Sequence, residues 1–334
     1  MHRGAALVVL TMSCGPGNVP ADYAPAPLRD LGIHESPIYV ARDLMPPRGI
    51  ALLLAHPRLG QPAIRRAGET IDVSWIAPTL AAKAAQISLG PGTALGGDGV
   101  CDADGICHLV VTVPELMPGL YELCVQVAAA RDCSPGAVAL VRQYAEPATV
   151  LHLSDAHIGD GNAIDLFTKV VDAINALNPP ADFAIFTGDG ADTGGADQRA
   201  GFVSQLGRLQ IPVYVVTGNH DYDHVGIDGH LLDVGPELDF AVRYGALRLI
   251  GLSSGQDLDD GNHNSTISES SGPDASQLQW LSQVMADGAP PTVVFFHHPS
   301  TTPCSRPSVP IRATRSKRWS PATTCWRCWP DIPM

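Results

Sequence analysis

Four short polar clusters between residues 154 and 299 contain side chains that can bind metal ions. Each cluster follows an apolar run: Ser154-Asp155-Ala156-His157, Thr187-Gly188-Asp189-Gly190, Thr217-Gly218-Asn219-His220-Asp221 and His297-His298-Pro299. Carboxylate, amide and imidazole groups suit divalent or trivalent ions. A hydrolytic site with two ions, which lie about 3.5–4 Å apart, needs one carboxylate that bridges them. Asp189 is the natural candidate for that bridge.

The runs that precede these clusters predict a layered α/β domain. The strand candidates are apolar throughout: Val150–Leu153, Phe183–Thr187, Val213–Thr217 and Thr292–Phe296. After the first of them, apolar residues recur at helical spacing until Pro179-Pro180: Ile164, Phe167, Val171, Ile174 and Leu177. Further helices are predicted around Phe202 to Leu209 and around Ser276 to Met285. Because open α/β sheets carry their sites at the carboxyl edge, the four clusters should meet there.

In this order, D-x-H, G-D, G-N-H-D and H-x-P resemble the motifs of the calcineurin-like metallophosphoesterase superfamily, of the purple acid phosphatase and phosphodiesterase type. The resemblance covers residues 149 to about 299, and G-N-H-D after a strand is its most specific part. It implies a β-sandwich flanked by helices and a metal-dependent hydrolase of phosphate mono- or diesters. The implied partner is a phosphate-ester small molecule or another phosphorylated substrate.

The resemblance also implies the metal ligands. Two divalent or trivalent ions are expected, with Mn, Fe and Zn as candidates. Asp155, His157 and the bridging Asp189 would bind one ion, and Asn219 and His297 would complete the other together with Asp189. His297 fits H-x-P better than its neighbour does, because successive side chains of an extended chain face opposite sides.

The resemblance further implies two catalytic residues beside the ions. His220 is expected to hydrogen-bond the phosphate and to protonate the leaving oxygen without binding a metal. Asp221 is expected to orient the ring of His220 or to keep its pKa high. The implied reaction is an in-line attack by a metal-activated hydroxide, without a covalent phospho-enzyme.

One family motif has no counterpart, because no G-H-x-H follows His298. The last 31 residues, Cys304–Met334, instead hold six of the 21 basic residues and one of the 34 acidic ones, and they lack an apolar period. We expect a frameshift or a truncated gene from about Thr301, which leaves residues 148–300 as an incomplete catalytic domain. A genuine basic, aromatic tail that contacts membranes or nucleic acid is the alternative. The corresponding alternative function is a weakened or inert family member that acts as an extracytoplasmic binding module.

Residues 30–147 predict an all-β accessory domain of the immunoglobulin-like sandwich type. The signals are short β-type runs cut by turn residues: Ile50–Leu54, Thr70–Ile76, Ala85–Leu89, His108–Val113, Tyr121–Val127 and Val138–Val141. Four cysteines lie within this region and indicate two disulfides, for which three pairings are open: Cys101, Cys107, Cys124 and Cys133. Structural zinc is the competing interpretation, but the usual C-x2-C spacing is missing.

Charge and the N-terminus indicate where the protein works. A formal net charge of −13 argues against general binding to nucleic acid. Within residues 1–29, the apolar run from Ala5 to Met12 resembles a short secretory signal. Cys14 follows this run as in a lipoprotein signal, although the large apolar residue lies one place too far from the cysteine. A lipid anchor at Cys14 is a second expectation. We therefore expect an extracytoplasmic protein that is secreted, periplasmic or lipid-anchored.

Overall fold

The computed structural model describes ten parts of the chain, which include all four polar clusters except Pro299. They are residues 39–41, 54–76, 85–96, 99–101, 106–222, 229–230, 233–235, 237–253, 275–286 and 290–298. The predicted signal segment 1–29, Cys14 and the tail 301–334 lie outside them. None of the helices in the described parts is long and apolar enough to cross a bilayer.

The elements with described bounds are sixteen strands, three α-helices and a 3-10 helix at His220–Tyr222. The strands are β1 (Tyr39–Ala41), β2 (Leu54–His56), β3 (Ala63–Arg65), β4 (Thr70–Ile76), β5 (Gln86–Leu89), β6 (Thr93–Leu95), β7 (Val100–Cys101), β8 (Ile106–Thr112), β9 (Gly119–Val127), β10 (Ala130–Leu140), β11 (Val150–Leu153), β12 (Phe183–Thr187), β13 (Val213–Val216), β14 (Phe240–Tyr244), β15 (Leu247–Gly251) and β16 (Thr292–Phe295). The helices are α1 (Ala163–Asn175), α2 (Ala196–Leu206) and α3 (Ala275–Ala286).

A parallel sheet of β11, β12 and β13 carries three of the polar clusters at one edge. The sheet is parallel because α1 and α2 return the chain between consecutive strands. Both helices pack on one face of this sheet through Phe167, Val171, Phe202 and Leu206. Two residues of the predicted apolar stripe are exposed: Ile164, near the start of α1, and Leu177, two residues beyond its end.

A second sheet, in the order β1-β14-β15-β16, covers the other face of the parallel sheet. Phe183 and Tyr214 from the first sheet pack in one core with Phe240 and Leu249 from the second. On the outer face of the second sheet, Trp280 of α3 packs in a further core cluster. Two sheets enclosed by helices confirm the predicted mixed α/β class. The second sheet matters for the site because β16 leads directly to the fourth polar cluster.

Strands β2 to β10, which make up the β-rich half of the chain, form two other sheets, in the orders β2-β4-β8-β7 and β3-β10-β9-β5-β6. Their facing side chains share one core, in which Trp75 is fully buried. The predicted strand Val138–Val141 is only the end of the longer β10, which begins at Ala130. The immunoglobulin-like type of this region stays a prediction.

The cysteines form two disulfides, Cys101–Cys107 and Cys124–Cys133. In both cases the two residues are direct partners in adjacent antiparallel strands. Side chains of direct cross-strand partners lie close enough to bridge. The strand register therefore selects one of the three pairings that the sequence left open.

The two halves are joined through the turn between β2 and β3. The amide of Val215 donates to the carbonyl of Gly60 at 2.8 Å, and the amide of Gly60 donates to the carbonyl of Val234 at 3.0 Å. A side chain at Gly60 would collide with Val234. Strand β1 also pairs with β14, although Tyr39–Ala41 precedes the β-rich half. The predicted division at residues 147 and 148 stays a prediction, but backbone contacts cross it close to the strand that precedes Asn219.

Candidate metal centre

The site lies where the chain leaves β11, β12, β13 and β16. The first two loops run side by side, because the amide of Asp155 donates to the carbonyl of Gly188 and the amide of His157 to the carbonyl of Asp189, both at 3.0 Å. His297 reaches the same place from the second sheet, with its Nδ1 2.7 Å from the carbonyl oxygen of Thr187. All four predicted clusters therefore converge at one edge of the fold.

Asp189 is the centre of this arrangement and is completely buried. Its Oδ2 lies 3.2 Å from Nε2 of His297 and 3.6 Å from Nε2 of His157. Its Oδ1 accepts the backbone amide of His220 at 3.0 Å. The buried carboxylate of Asp189 therefore lies between two imidazoles that come from different sheets.

Two groups of ligand-type side chains share Asp189. One consists of His157, Asp189 and His220, and the other of Asp155, Asp189 and His297; within each, one ligand atom per residue lies within 4.8 Å of the others. The shared carboxylate suggests two adjacent cation positions. His220 was predicted not to bind metal, yet it belongs to the first group. Distance alone therefore does not show whether His220 is a metal ligand or a general acid.

Three buried oxygens of the site have no hydrogen-bond partner among the described residues, which suits metal ions. They are Oδ2 of Asp155, Oδ2 of Asp189 and Oδ1 of Asn219. A buried oxygen acceptor that lacks a partner is costly, and cations bind to such oxygens. Asn219 is itself buried, so its amide oxygen has the setting expected of a ligand.

The charges of the site reinforce one another. Burial alone would raise the pKa of Asp189, but the neighbouring His297 outweighs it and holds that pKa below its usual value. Burial alone would also raise the pKa of Asp155, but contacts with His157 and Ser154 outweigh it and hold that pKa below its usual value. The carboxylate of Asp155, 3.8 Å from Nε2 of His157, is the main reason why the pKa of His157 rises to about 9. Metal ions would compete with protons for His157, so metal binding should release protons.

The backbone of the site adopts a rare conformation at three of the candidate ligands. Asp155, His157 and Asp189 all have positive φ, at 58°, 42° and 58°. Non-glycine residues rarely adopt this conformation, and it concentrates at functional sites. Gly188 and Gly218 allow the loops after β12 and β13 to touch, because a Cβ on Gly188 would collide with the backbone of Gly218. This contact brings the carboxylate of Asp189 next to the Asn219 loop.

Asp221 makes contacts other than the predicted one with the ring of His220. Its Oδ2 accepts the amides of Asp189 and Gly218, both at 2.9 Å, and its Oδ1 accepts those of Gly190 and Ala191 at 3.1 and 3.3 Å. The carboxylate is buried and braces the loop after β12 against the loop after β13. The predicted action of Asp221 on the ring of His220 stays a prediction.

Asp192 is a site residue to which sequence reasoning gave no role. Its Oδ1 lies 3.2 Å from Nδ1 of His157, and its carbonyl oxygen lies 2.5 Å from Nδ1 of His220. The two rings meet edge to face at 4.6 Å. The available signal was a carboxylate three residues after Asp189 in the same glycine-rich loop.

The family model of calcineurin-like phosphoesterases matches residues 148–329, more than half of the chain. The chain therefore belongs to the calcineurin-like phosphoesterase family, as its four clusters predicted. The match includes the whole candidate metal centre and continues past the last described residue.

The chain is similar to two curated phosphodiesterases. It is 32% identical over 166 residues to a cAMP/cGMP dual specificity phosphodiesterase of Mycobacterium tuberculosis, covering 45% of this chain and 49% of that protein. It is 28% identical over 170 residues to a probable glycerophosphodiester phosphodiesterase of Arcobacter nitrofigilis, covering 45% of this chain and 56% of that protein. The chain thus spans about half the length of these relatives.

Among solved structures, the titin M3 domain covers 27% of this chain and 99% of its own length, at 12% identity and a TM-score of 0.19. A score this low carries no argument about the fold.

Proposed function

We propose that this protein is a metal-dependent hydrolase of phosphate esters with a dinuclear site. One observation carries the proposal: the buried carboxylate of Asp189 lies between two groups of ligand-type side chains, beside three buried oxygens that have no hydrogen-bond partner among the described residues. Membership of the calcineurin-like phosphoesterase family supports the same reaction class.

Following the family resemblance, Asp155, His157 and Asp189 would bind one ion, and Asp189, Asn219 and His297 the other. The two groups seen in the structure divide these residues differently, because Asp155 lies with His297 and His157 with His220. Bound ions of this kind supply Lewis acidity at the phosphoryl oxygens and a water of lowered pKa. Three protein ligands for each ion leave coordination positions open to water and substrate. The carboxylate of Asp189 would contribute to both positions, because it lies near His157 from one sheet and near His297 from the other.

His220 would act on the substrate. The carbonyl oxygen of Asp192 can only accept a hydrogen bond, so Nδ1 of His220 carries a proton and Nε2 is the nitrogen left for the phosphate. A protonated Nε2 would hydrogen-bond a phosphoryl oxygen and then protonate the leaving oxygen. The carbonyl of Asp192 would hold the ring of His220, and the bond from the His220 amide to Asp189 would hold its backbone.

A phosphodiester is the substrate class that we favour. Both curated relatives are named as phosphodiesterases, one for cyclic nucleotides and one for glycerophosphodiesters. The site itself is compatible with monoesters too, because the ions and His220 would contact only the phosphoryl group and the leaving oxygen. Bis(p-nitrophenyl) phosphate and p-nitrophenyl phosphate, assayed side by side, separate the two preferences.

The decisive experiment compares Asp189→Ala with a matched control. The full chain would be assayed with added Mn²⁺, Fe²⁺ or Zn²⁺. Asp189→Ala should abolish turnover, whereas Asp197→Ala, which removes an exposed carboxylate from α2, should leave it unchanged. Equal turnover in the Asp189→Ala variant would refute the proposed site.

The second candidate function is an extracytoplasmic binding module with an inert site. It is the alternative that the sequence left open, and the same two nitrophenyl esters distinguish it from the hydrolase. Wild-type protein that binds metal but hydrolyses neither nitrophenyl ester would support this candidate. Metal-dependent turnover that Asp189→Ala abolishes would exclude it.

We further propose that the protein works outside the cytoplasm. Two disulfides support this location, because disulfides persist in oxidising compartments. Intact mass and thiol labelling of protein from the native host would test it: removal of residues up to about Ser13 and oxidised cysteines are expected. Four free thiols in the β-rich half would argue strongly against export.

A further inference from the structure

Asp192 contacts both site histidines, but through different groups. Its carboxylate reaches Nδ1 of His157, and its main-chain carbonyl reaches Nδ1 of His220. Its own amide donates to the carbonyl of Ile158 at 3.1 Å, which ties this residue to the loop that carries His157. One residue therefore stands behind the two rings on the side away from Asp189.

The contact with His157 leaves one ring nitrogen for an ion. A carboxylate accepts the Nδ1 proton, so Nε2 is the nitrogen that is available as a ligand. That Nε2 is also the atom that faces Asp155 at 3.8 Å and Asp189 at 3.6 Å. Carboxylates that hold metal-binding histidines in this way fix the ring orientation and strengthen the ligand.

The contact with His220 does not involve the side chain of Asp192. Because the acceptor is a main-chain carbonyl, every residue type at position 192 can provide it. The ring of His220 would therefore keep its orientation when the carboxylate is removed, provided that the loop keeps its path.

From these two contacts we infer that Asp192 is a positioning residue that holds His157 for metal binding by its carboxylate and His220 for the substrate by its backbone. The inference rests on the proposed function, since it assigns these two roles to the two histidines. It predicts that side-chain substitutions at position 192 weaken a metal position and leave the proton-transfer step intact.

The test measures metal affinity and leaving-group dependence separately in the full chain. Equilibrium dialysis against Mn²⁺ should show one of two ions bound about 10–100-fold more weakly in Asp192→Ala, the usual effect of losing such a support. Asp192→Asn should recover part of the loss, because its amide oxygen still accepts the Nδ1 proton. Asp160→Ala, an exposed carboxylate of the His157 loop, is the control and should bind Mn²⁺ like wild type.

At saturating Mn²⁺, the ratio of kcat for a nitrophenyl ester to kcat for an alkyl ester should be the same in Asp192→Ala and wild type. A larger ratio would mean that the carboxylate acts through His220, and it would overturn the inference. Unchanged Mn²⁺ affinity in Asp192→Ala would overturn it as well.

These outcomes are distinct from failure of the proposed function. Wild type that binds two Mn²⁺ ions but turns over no ester would refute the hydrolase, and the dialysis result would still decide the role of Asp192. Wild type that binds no Mn²⁺ would refute both.

Discussion

Replacing Asp221 with asparagine tests whether its carboxylate braces the site or serves the ring of His220. The carboxylate is buried and accepts four backbone amides from two loops, two on each oxygen. Asparagine has nearly the same shape but presents one oxygen and one NH2 group. Two of the four amides would then face a donor instead of an acceptor.

The size of the effect follows from those two lost bonds. The side chain should turn its oxygen toward the shorter pair, Asp189 and Gly218, which leaves the amides of Gly190 and Ala191 without an acceptor. A buried donor without a partner costs about 1–3 kcal/mol, so the free energy of unfolding should fall by about 2–6 kcal/mol. For a domain of this size that corresponds to a fall in Tm of at least about 4 °C.

Thermal unfolding of the metal-free protein provides the measurement. Asp172→Asn is the control, because it breaks an exposed ion pair with Arg208 that should contribute less than about 1 kcal/mol. Asp221→Asn should also weaken both metal positions together, since the brace connects the loop of Asp189 to that of Asn219. A Tm like that of the control, or a loss of kcat confined to alkyl esters, would refute the bracing role and favour an action through His220.

Three further predictions concern separate parts of the chain. Asn219→Ala should lower the occupancy of one ion and regain activity in excess metal. His220→Ala should keep its metal content and lose about 10²–10⁴-fold in kcat, with a smaller loss for a nitrophenyl than for an alkyl ester. Loss of an ion from His220→Ala would disprove the role assigned to His220. Burial, together with the charges of Arg65 and His108, lowers the pKa of His56 well below 6.5. Below pH 6.5, His56 therefore binds a proton in the unfolded chain but stays neutral in the folded chain. Stability should therefore be complete above pH 6.5 and fall toward pH 5 by at most about 1.4 kcal/mol per pH unit for this group, and a His56→Gln variant that retains the full pH dependence would contradict this. Peptide mapping without reduction should recover two cross-linked pairs, Cys101 with Cys107 and Cys124 with Cys133, and any other pairing would contradict the strand register.

The sequence alone was sufficient to predict the family, the α/β class and the convergence of the four clusters. Each cluster follows an apolar strand, and parallel strands present their carboxyl ends at one edge, so ligand-type residues at those ends must approach one another. Residue type then limits the chemistry, because carboxylate, amide and imidazole groups together are typical of metal sites. This logic brought Asp155, His157 and Asp189 together before any contact was known.

The disulfide pairing and the full extent of β10 depended on the tertiary structure. Pairing requires the register between strands, which Cys124 and Cys133 do not reveal by their spacing. The residues that begin β10, Ala130 to Ser134, include exposed and polar positions without apolar alternation, so only their pairing with β9 marks them as a strand. The exposure of Ile164 and Leu177 was also hidden, because helical spacing does not tell where a neighbouring element ends.

The supporting contacts of the site were likewise decided only by the folded chain. Asp221 follows His220 directly, which suggested a contact with its ring, yet the two glycines at 188 and 218 let the loops approach so closely that four amides surround the carboxylate instead. Asp192 carried no motif of its own, and its position behind both histidines results from the turn of the loop after Asp189. Ligand identity depends on side-chain chemistry and strand order, which a sequence encodes locally. The groups that hold the ligands depend on backbone distances between loops that are about 30 residues apart in the chain, and only packing sets those distances.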